Sequence, residues 1–94
     1  MVYDEIKEKV IKLCNEVFED SDIDADMIEY VDFSDDLGMD SIKFISLIVE
    51  IESRLNIIIP DDYLLIDYFN NIDNIMQIVM SEINKTGDVK NDKA

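Results

Sequence analysis

The stretch Ser41–Leu55, SIKFISLIVEIESRL, constrains the fold more than any other part of the chain. Wound as an α-helix that begins at Asp40 or Ser41 and runs to about Leu55, at about 3.6 residues per turn, it leaves a narrow polar strip of Lys43, Ser46, Glu50, Ser53 and Arg54. Phe44, Ile45, Leu47, Ile48, Ile51 and Leu55 spread over a broad apolar arc. A helix with so wide an apolar face has to be central, with the other elements packed around it. Ile42 and Val49 fall at the edge of the arc beside the polar strip. Core packing does not need that edge, so it is a candidate contact surface for a partner.

The remaining segments supply the surroundings. Ile6, Val10, Leu13 and Val17 recur at helical spacing and predict an amphipathic first helix, with Cys14 beside the stripe as a small buried hydrophobe. From Glu19 to Asp40 acids recur without Lys or Arg, and Ile23, Met27, Ile28, Val31 and Phe33 follow no sustained helical period. This reads as a long loop pinned to the core by those side chains. Within it, Asp20, Asp22 and Asp24 match the first three ligand positions of a calcium-binding loop. The match then fails: Ala25 stands where the sharp turn needs glycine and Val31 where the bidentate glutamate belongs, and starting at Asp22 puts Met27 and Phe33 there. No metal site is expected.

After Pro60, which discourages helix at Ile59 and suits the first position of a new one, PDDYLLIDYF predicts a short helix or helical turn with Tyr63, Leu64, Tyr68 and Phe69 on the core. RLNIIIP could form a strand, but no second strand is available to pair with it. A last helix is expected over about 72–84, capped by Asn71 or Asp73, with Ile75, Ile78, Val79 and Ile83 inward. The polar, glycine-containing KTGDVKNDKA should fray. The fold expected is all-α: a small four-helix bundle with a long loop between helices 1 and 2 and a short third helix, a single domain over 1–84 and a flexible tail over 85–94.

A chain of 94 residues can bury one core. Its formal charge of -15 excludes a phosphate-backbone binder, whose affinity rests on cations, so no nucleic acid is expected. A partner with a basic surface is favoured instead. With no histidine, Ser41 has no imidazole to activate it and belongs to no Ser-His-Asp triad; with one cysteine, neither an intrachain disulfide nor a thiol-rich zinc site can form. The start MVYDEIKEKV lacks a basic region followed by an apolar block, and no apolar run approaches the roughly 20 residues of a membrane span. A cytoplasmic monomer without enzymatic activity of its own is expected.

Ser41 follows an acidic, glycine-containing turn, DDLGMD, directly before the central helix. A serine there is commonly a helix cap. Two details argue otherwise: Asp40 is already an adequate cap, and the capping-box position three residues after Ser41 holds Phe44 rather than Glu or Gln. Free amides and the positive end of the helix macrodipole would stabilise an anion carried on the serine. Gly38 gives the turn the freedom to hold that serine outward.

The segment DDLGMDSIKFISLIVEIESRLNIIIPDDYL resembles the core of the acyl carrier and peptidyl carrier protein family, whose signature is matched by Leu37, Gly38, Asp40, Ser41 and Ile42. The likeness extends from the first amphipathic helix to about Asn84. It implies that Ser41 accepts 4'-phosphopantetheine from coenzyme A through a separate magnesium-dependent phosphopantetheinyl transferase. The arm's thiol would then hold an acyl or aminoacyl group as a thioester, exchanged with a loading enzyme and a downstream synthase or transferase. It further implies that Asp40 helps engage the transferase, that Ile42 and Val49 contact partners, and that Asp35, Asp36 and Lys43 lie in the partner-facing region. Lys43, Ser46 and Arg54 stand where fatty-acid carriers usually present acids, so DSIKFISL looks closer to carriers of polyketide, nonribosomal-peptide or other specialised pathways. A free-standing carrier is expected. Primary fatty-acid synthesis and D-alanine transfer remain alternatives, as does a non-carrier acidic interaction module with Ser41 a plain cap.

Overall fold

The computed structural model describes residues 2–85 in full and residues 86–93 only as part of the last helix. Among these residues the α-helices are α1 (Val2–Val17), α2 (Phe33–Leu37), α3 (Ser41–Leu55) and α4 (Ile72–Lys93). Three 3-10 segments, Ala25–Tyr30, Asp61–Tyr63 and Ile66–Tyr68, lie between them, and no strand forms. α4 continues to Lys93, past the end expected at about 84 and through most of the stretch 85–94 where a fraying tail is expected.

α3 packs chiefly on α1, and α1 also meets α4 and the 25–30 turn. Leu47 and Ile51 are fully buried and Ile48 nearly so, meeting Val10, Leu13 and Cys14 of α1 and Ile72, Ile75, Met76 and Val79 of α4 in one core. The expected inward row of α1 divides into fully buried Val10 and Leu13 and half-buried Ile6 and Val17 packed against the core.

The loop between the two long helices contains more structure than its aperiodic sequence indicates. Ala25–Tyr30 winds as a 3-10 helix around Ile28, which is buried, and α2 forms around buried Phe33. The Phe33 ring stacks at a tilt on Phe18 with centroids 4.9 Å apart. Met27, expected to pin the loop, is instead exposed: in a 3-10 turn its side chain shares a face with Tyr30, opposite Ile28.

The short helix or helical turn expected after Pro60 takes the form of two 3-10 turns. Phe69 reaches the core beside Phe44, with ring centroids 5.8 Å apart, whereas Tyr68 stays exposed with its edge toward Tyr63. Asn71 caps α4, its Oδ1 accepting the Asn74 N–H at 2.8 Å. RLNIIIP ends α3 at Asn56, which adopts the left-handed conformation at φ 56°, and the Glu52 carboxylate accepts the Ile59 N–H at 2.8 Å. That bond anchors the chain as Ile59 enters the core.

Truncating Leu47 leaves a cavity at the α1–α3 contact. Leu47→Ala is expected to cost about 2–5 kcal/mol in urea unfolding. Ile45→Ala, on the opposite side of the same helix, should stay within about 0.5 kcal/mol because that side chain is exposed.

Candidate functional site

The turn before α3 gives each residue of the Leu37–Ile42 signature a separate task. Leu37 ends α2 half-buried against the core. Gly38 then takes φ 65°, a left-handed conformation that costs a residue with a Cβ about 1–2 kcal/mol. Its N–H, together with that of Met39 at 2.9 Å, is donated to the Phe33 carbonyl, closing α2. Met39 turns into the core as the hydrophobic anchor under the turn.

Asp40 is the N-cap of α3. Its backbone is extended, its Oδ1 accepts the Lys43 N–H at 2.9 Å, and its carbonyl accepts the Phe44 N–H at 2.8 Å. Ser41 is therefore the first helical residue and not the cap. It is exposed, and no hydrogen bond engages its hydroxyl among the described residues. The N–H groups of Ser41 and Ile42 also lack acceptors there, so two backbone donors and the positive end of the α3 dipole stand beside a free hydroxyl.

The charged side chains of α3 turn away from this surface. Lys43 donates from Nζ to the Val17 carbonyl at 2.9 Å and to Asp20 Oδ1 at 3.1 Å, tying α3 to the C-terminal end of α1, where a cation is favoured. Arg54 bridges Glu16 of α1 and Glu50 of its own helix. The fourth, Glu52, holds the Ile59 N–H. Beside exposed Ser46 and Ser53, α3 shows to solvent a row of apolar residues spaced i, i+3, i+7: Ile42, Ile45 and Val49 are 74%, 60% and 53% exposed. Ile45 was expected in the core. The inner face is filled by Leu47, Ile48 and Ile51, and the rotation that seats them swings Ile45 outward between Ile42 and Val49.

Asp35 and Asp36 lie one turn of chain before the serine, both exposed. Asp36 Oδ2 accepts the Asp32 N–H at 2.8 Å, while Asp35 receives a cap on its own N–H from Asp32 and leaves its carboxylate to solvent. Among the described residues, no group of three His, Cys, Asp or Glu side chains could hold a metal ion. Nor is any described helix long and apolar enough to cross a membrane.

The sequence profile described as "phosphopantetheine attachment site" matches residues 4–79, most of the chain. The chain belongs to that family. It is a carrier domain, and its cofactor is covalently attached 4'-phosphopantetheine. No curated protein and no solved structure gives a significant match. Within the described residues of this phosphopantetheine carrier, the free hydroxyl and unpaired amides at the start of α3 fit an esterified phosphate.

Cys14, the single cysteine, is fully buried, and desolvation pushes its thiol pKa well above the ordinary range. A hydrogen bond from Lys43 holds Asp20 below the ordinary carboxylate range, and one from Arg54 does the same for Glu16. Both acids lower their folded-state pKa, so the stability they add is present above the unfolded value of about 4 and is lost as pH falls through the folded value. Unfolding measured from pH 6 down to 2 should therefore show a shallower acid loss in Lys43→Met and Arg54→Met than in the parent.

Proposed function

We propose that Ser41 is the attachment residue of this carrier and that the row Ile42, Ile45 and Val49 is the surface its enzymes grip. The observation that carries the first part is the exposed, unengaged hydroxyl at the first position of α3, left free because Asp40 does the capping. Transfer forms a phosphodiester between Ser41 Oγ and the pantetheine-bearing phosphorus of coenzyme A. The pyrophosphate bond breaks, adenosine 3',5'-bisphosphate leaves, and the serine proton passes to a base on the transferase, because this chain contains no histidine. When attached, the group supplies a terminal thiol on a flexible arm, able to hold an acyl or aminoacyl cargo as a thioester. The protein's own part is delivery: a fixed helix end presents the arm, and tethering raises effective concentration at each enzyme visited.

For partners, the exposed row supports an apolar groove on the transferase, on the loading enzyme and on the downstream synthase or transferase. Lys43 enters this reading as the residue that fixes α3 on α1. Acidic Asp35, beside Asp36 and the Asp40 cap, confines electrostatic attraction to the serine end of the surface. With all four charged side chains of α3 engaged inside the molecule, the helix offers no carboxylate row to a basic docking patch. This favours a polyketide, nonribosomal-peptide or other specialised pathway over primary fatty-acid synthesis. The protein is read as a cytoplasmic monomer.

Incubation with coenzyme A, magnesium and a promiscuous phosphopantetheinyl transferase should add one phosphopantetheinyl mass to the parent and none to Ser41→Ala. The variant should stay within about 0.5 kcal/mol of parental stability, since Asp40 keeps the cap. An unmodified parent, starting in the apo form, would overturn the assignment. Because Cys14 is buried, a native thiol titration should read no reactive thiol before modification and one after it. In the same assay Ile45→Asp should raise the transferase KM about tenfold, equivalent to about 1.4 kcal/mol, whereas Lys43→Met should leave it within about twofold.

A further inference from the structure

Five residues make too short a helix to hold itself, yet α2 carries the turn that ends in Ser41. Part of what fixes it comes from the loop before α4, 38 residues away in sequence. Asp32, the N-cap of α2, uses both carboxylate oxygens: Oδ1 accepts the Asp35 N–H at 2.7 Å, and Oδ2 accepts Asn70 Nδ2 at 3.1 Å. Asn70 is itself held, its Oδ1 accepting Asn74 Nδ2 at 2.8 Å and its carbonyl accepting the Phe33 N–H at 2.7 Å. Asn74 sits in the first turn of α4 under the Asn71 cap. A continuous line of hydrogen bonds thus runs from α4 through Asn70 to Asp32, along α2 to the Phe33 carbonyl, and from there to the N–H groups of Gly38 and Met39. The one side-chain donor that joins the two halves of this line is Asn70 Nδ2.

We propose that Asn70 is a positioning residue for the modification of Ser41: its grip on Asp32 sets the pose of α2, and through α2 the direction in which the Gly38–Asp40 turn presents the serine hydroxyl to the transferase. The inference rests on Ser41 being the attachment residue. Burial of Phe33 and Phe69 and the Phe33 N–H bond to the Asn70 carbonyl persist without the side-chain contact, so losing it changes the pose of α2 more than the fold. A small misplacement of the nucleophile is costly, since a shift of about 1 Å can lower a rate about a hundredfold.

The contact can be reversed as well as broken. Asn70→Asp sets two carboxylates against each other across the 3.1 Å contact. Adding Asp32→Asn restores the bond in the opposite sense: the new amide keeps an oxygen for the Asp35 N–H and donates to the carboxylate at position 70, which still accepts from Asn74.

KM and kcat of a promiscuous transferase, with the apo-protein as the varied substrate, are measured for the parent, Asn70→Asp and the Asp32→Asn/Asn70→Asp double variant, with the folded fraction followed by circular dichroism. Asn70→Asp should lower kcat about tenfold or more with KM within about twofold, and the double variant should return kcat to within about twofold of the parent. Asn70→Ala, which removes the donor without adding charge, supplies the reading if Asn70→Asp lowers the folded fraction. A parental kcat in the single variants, or a fall that the double variant does not reverse, overturns the positioning role. A parent that is itself unmodified refutes the assignment of Ser41 instead.

Discussion

Burial of Leu47 and Ile51 against α1 is the interaction on which the rest of the structure depends, because it fixes the rotation of α3 about its own axis. Once those side chains and Ile48 face the core, the row Ile42, Ile45 and Val49 has to face solvent. The same rotation brings Lys43 and Arg54 within reach of the end of α1, where they find Val17, Asp20 and Glu16. Cations that could have decorated the partner surface are thereby spent on holding the two long helices together. Exposed ion pairs add little stability individually, so their main consequence here is an outer face of α3 that presents aliphatic side chains without a competing charge.

The start of α3 depends on a division of labour between neighbours. Gly38 accepts the left-handed backbone, Met39 anchors the turn, and Asp40 takes the capping hydrogen bond. A serine capping its own helix would have its oxygen committed to a backbone N–H; here the hydroxyl is left outside that network. The local amides and helix dipole favour a phosphate at this point even though the chain as a whole carries a charge of -15, because dipole effects act within one turn whereas a diffuse field is screened over about 8–10 Å. That outer field acts on the encounter with enzymes rather than on the bond itself.

The bounds of α3, the start of α4, the Asp40 cap and the exposure of Ile42 and Val49 were legible in the sequence, because each rests on contacts within one or two turns. Ile45 was not, since a periodic arc of apolar residues is wider than the core that one small domain can place against it. Its spacing of three from Ile42 and four from Val49 was the available signal for an outward row. The 3-10 helix at Ala25–Tyr30 and α2 carry no periodic signal for another reason: their order comes from burying Ile28 and Phe33. The Asn70 contact with Asp32 had no sequence signal at all, because hydrogen bonds between residues 38 apart are created by the fold.

The central claim is that the phosphopantetheine arm leaves the protein at the first residue of α3. Trypsin cleavage after Lys43 separates Ser41 from Ser46 and Ser53, so the modified protein can be digested and the added mass located by peptide fragmentation. Mass on the Leu13–Lys43 peptide, localised to Ser41 rather than Ser21 or Ser34, is the result predicted. Mass on any other serine would contradict the account.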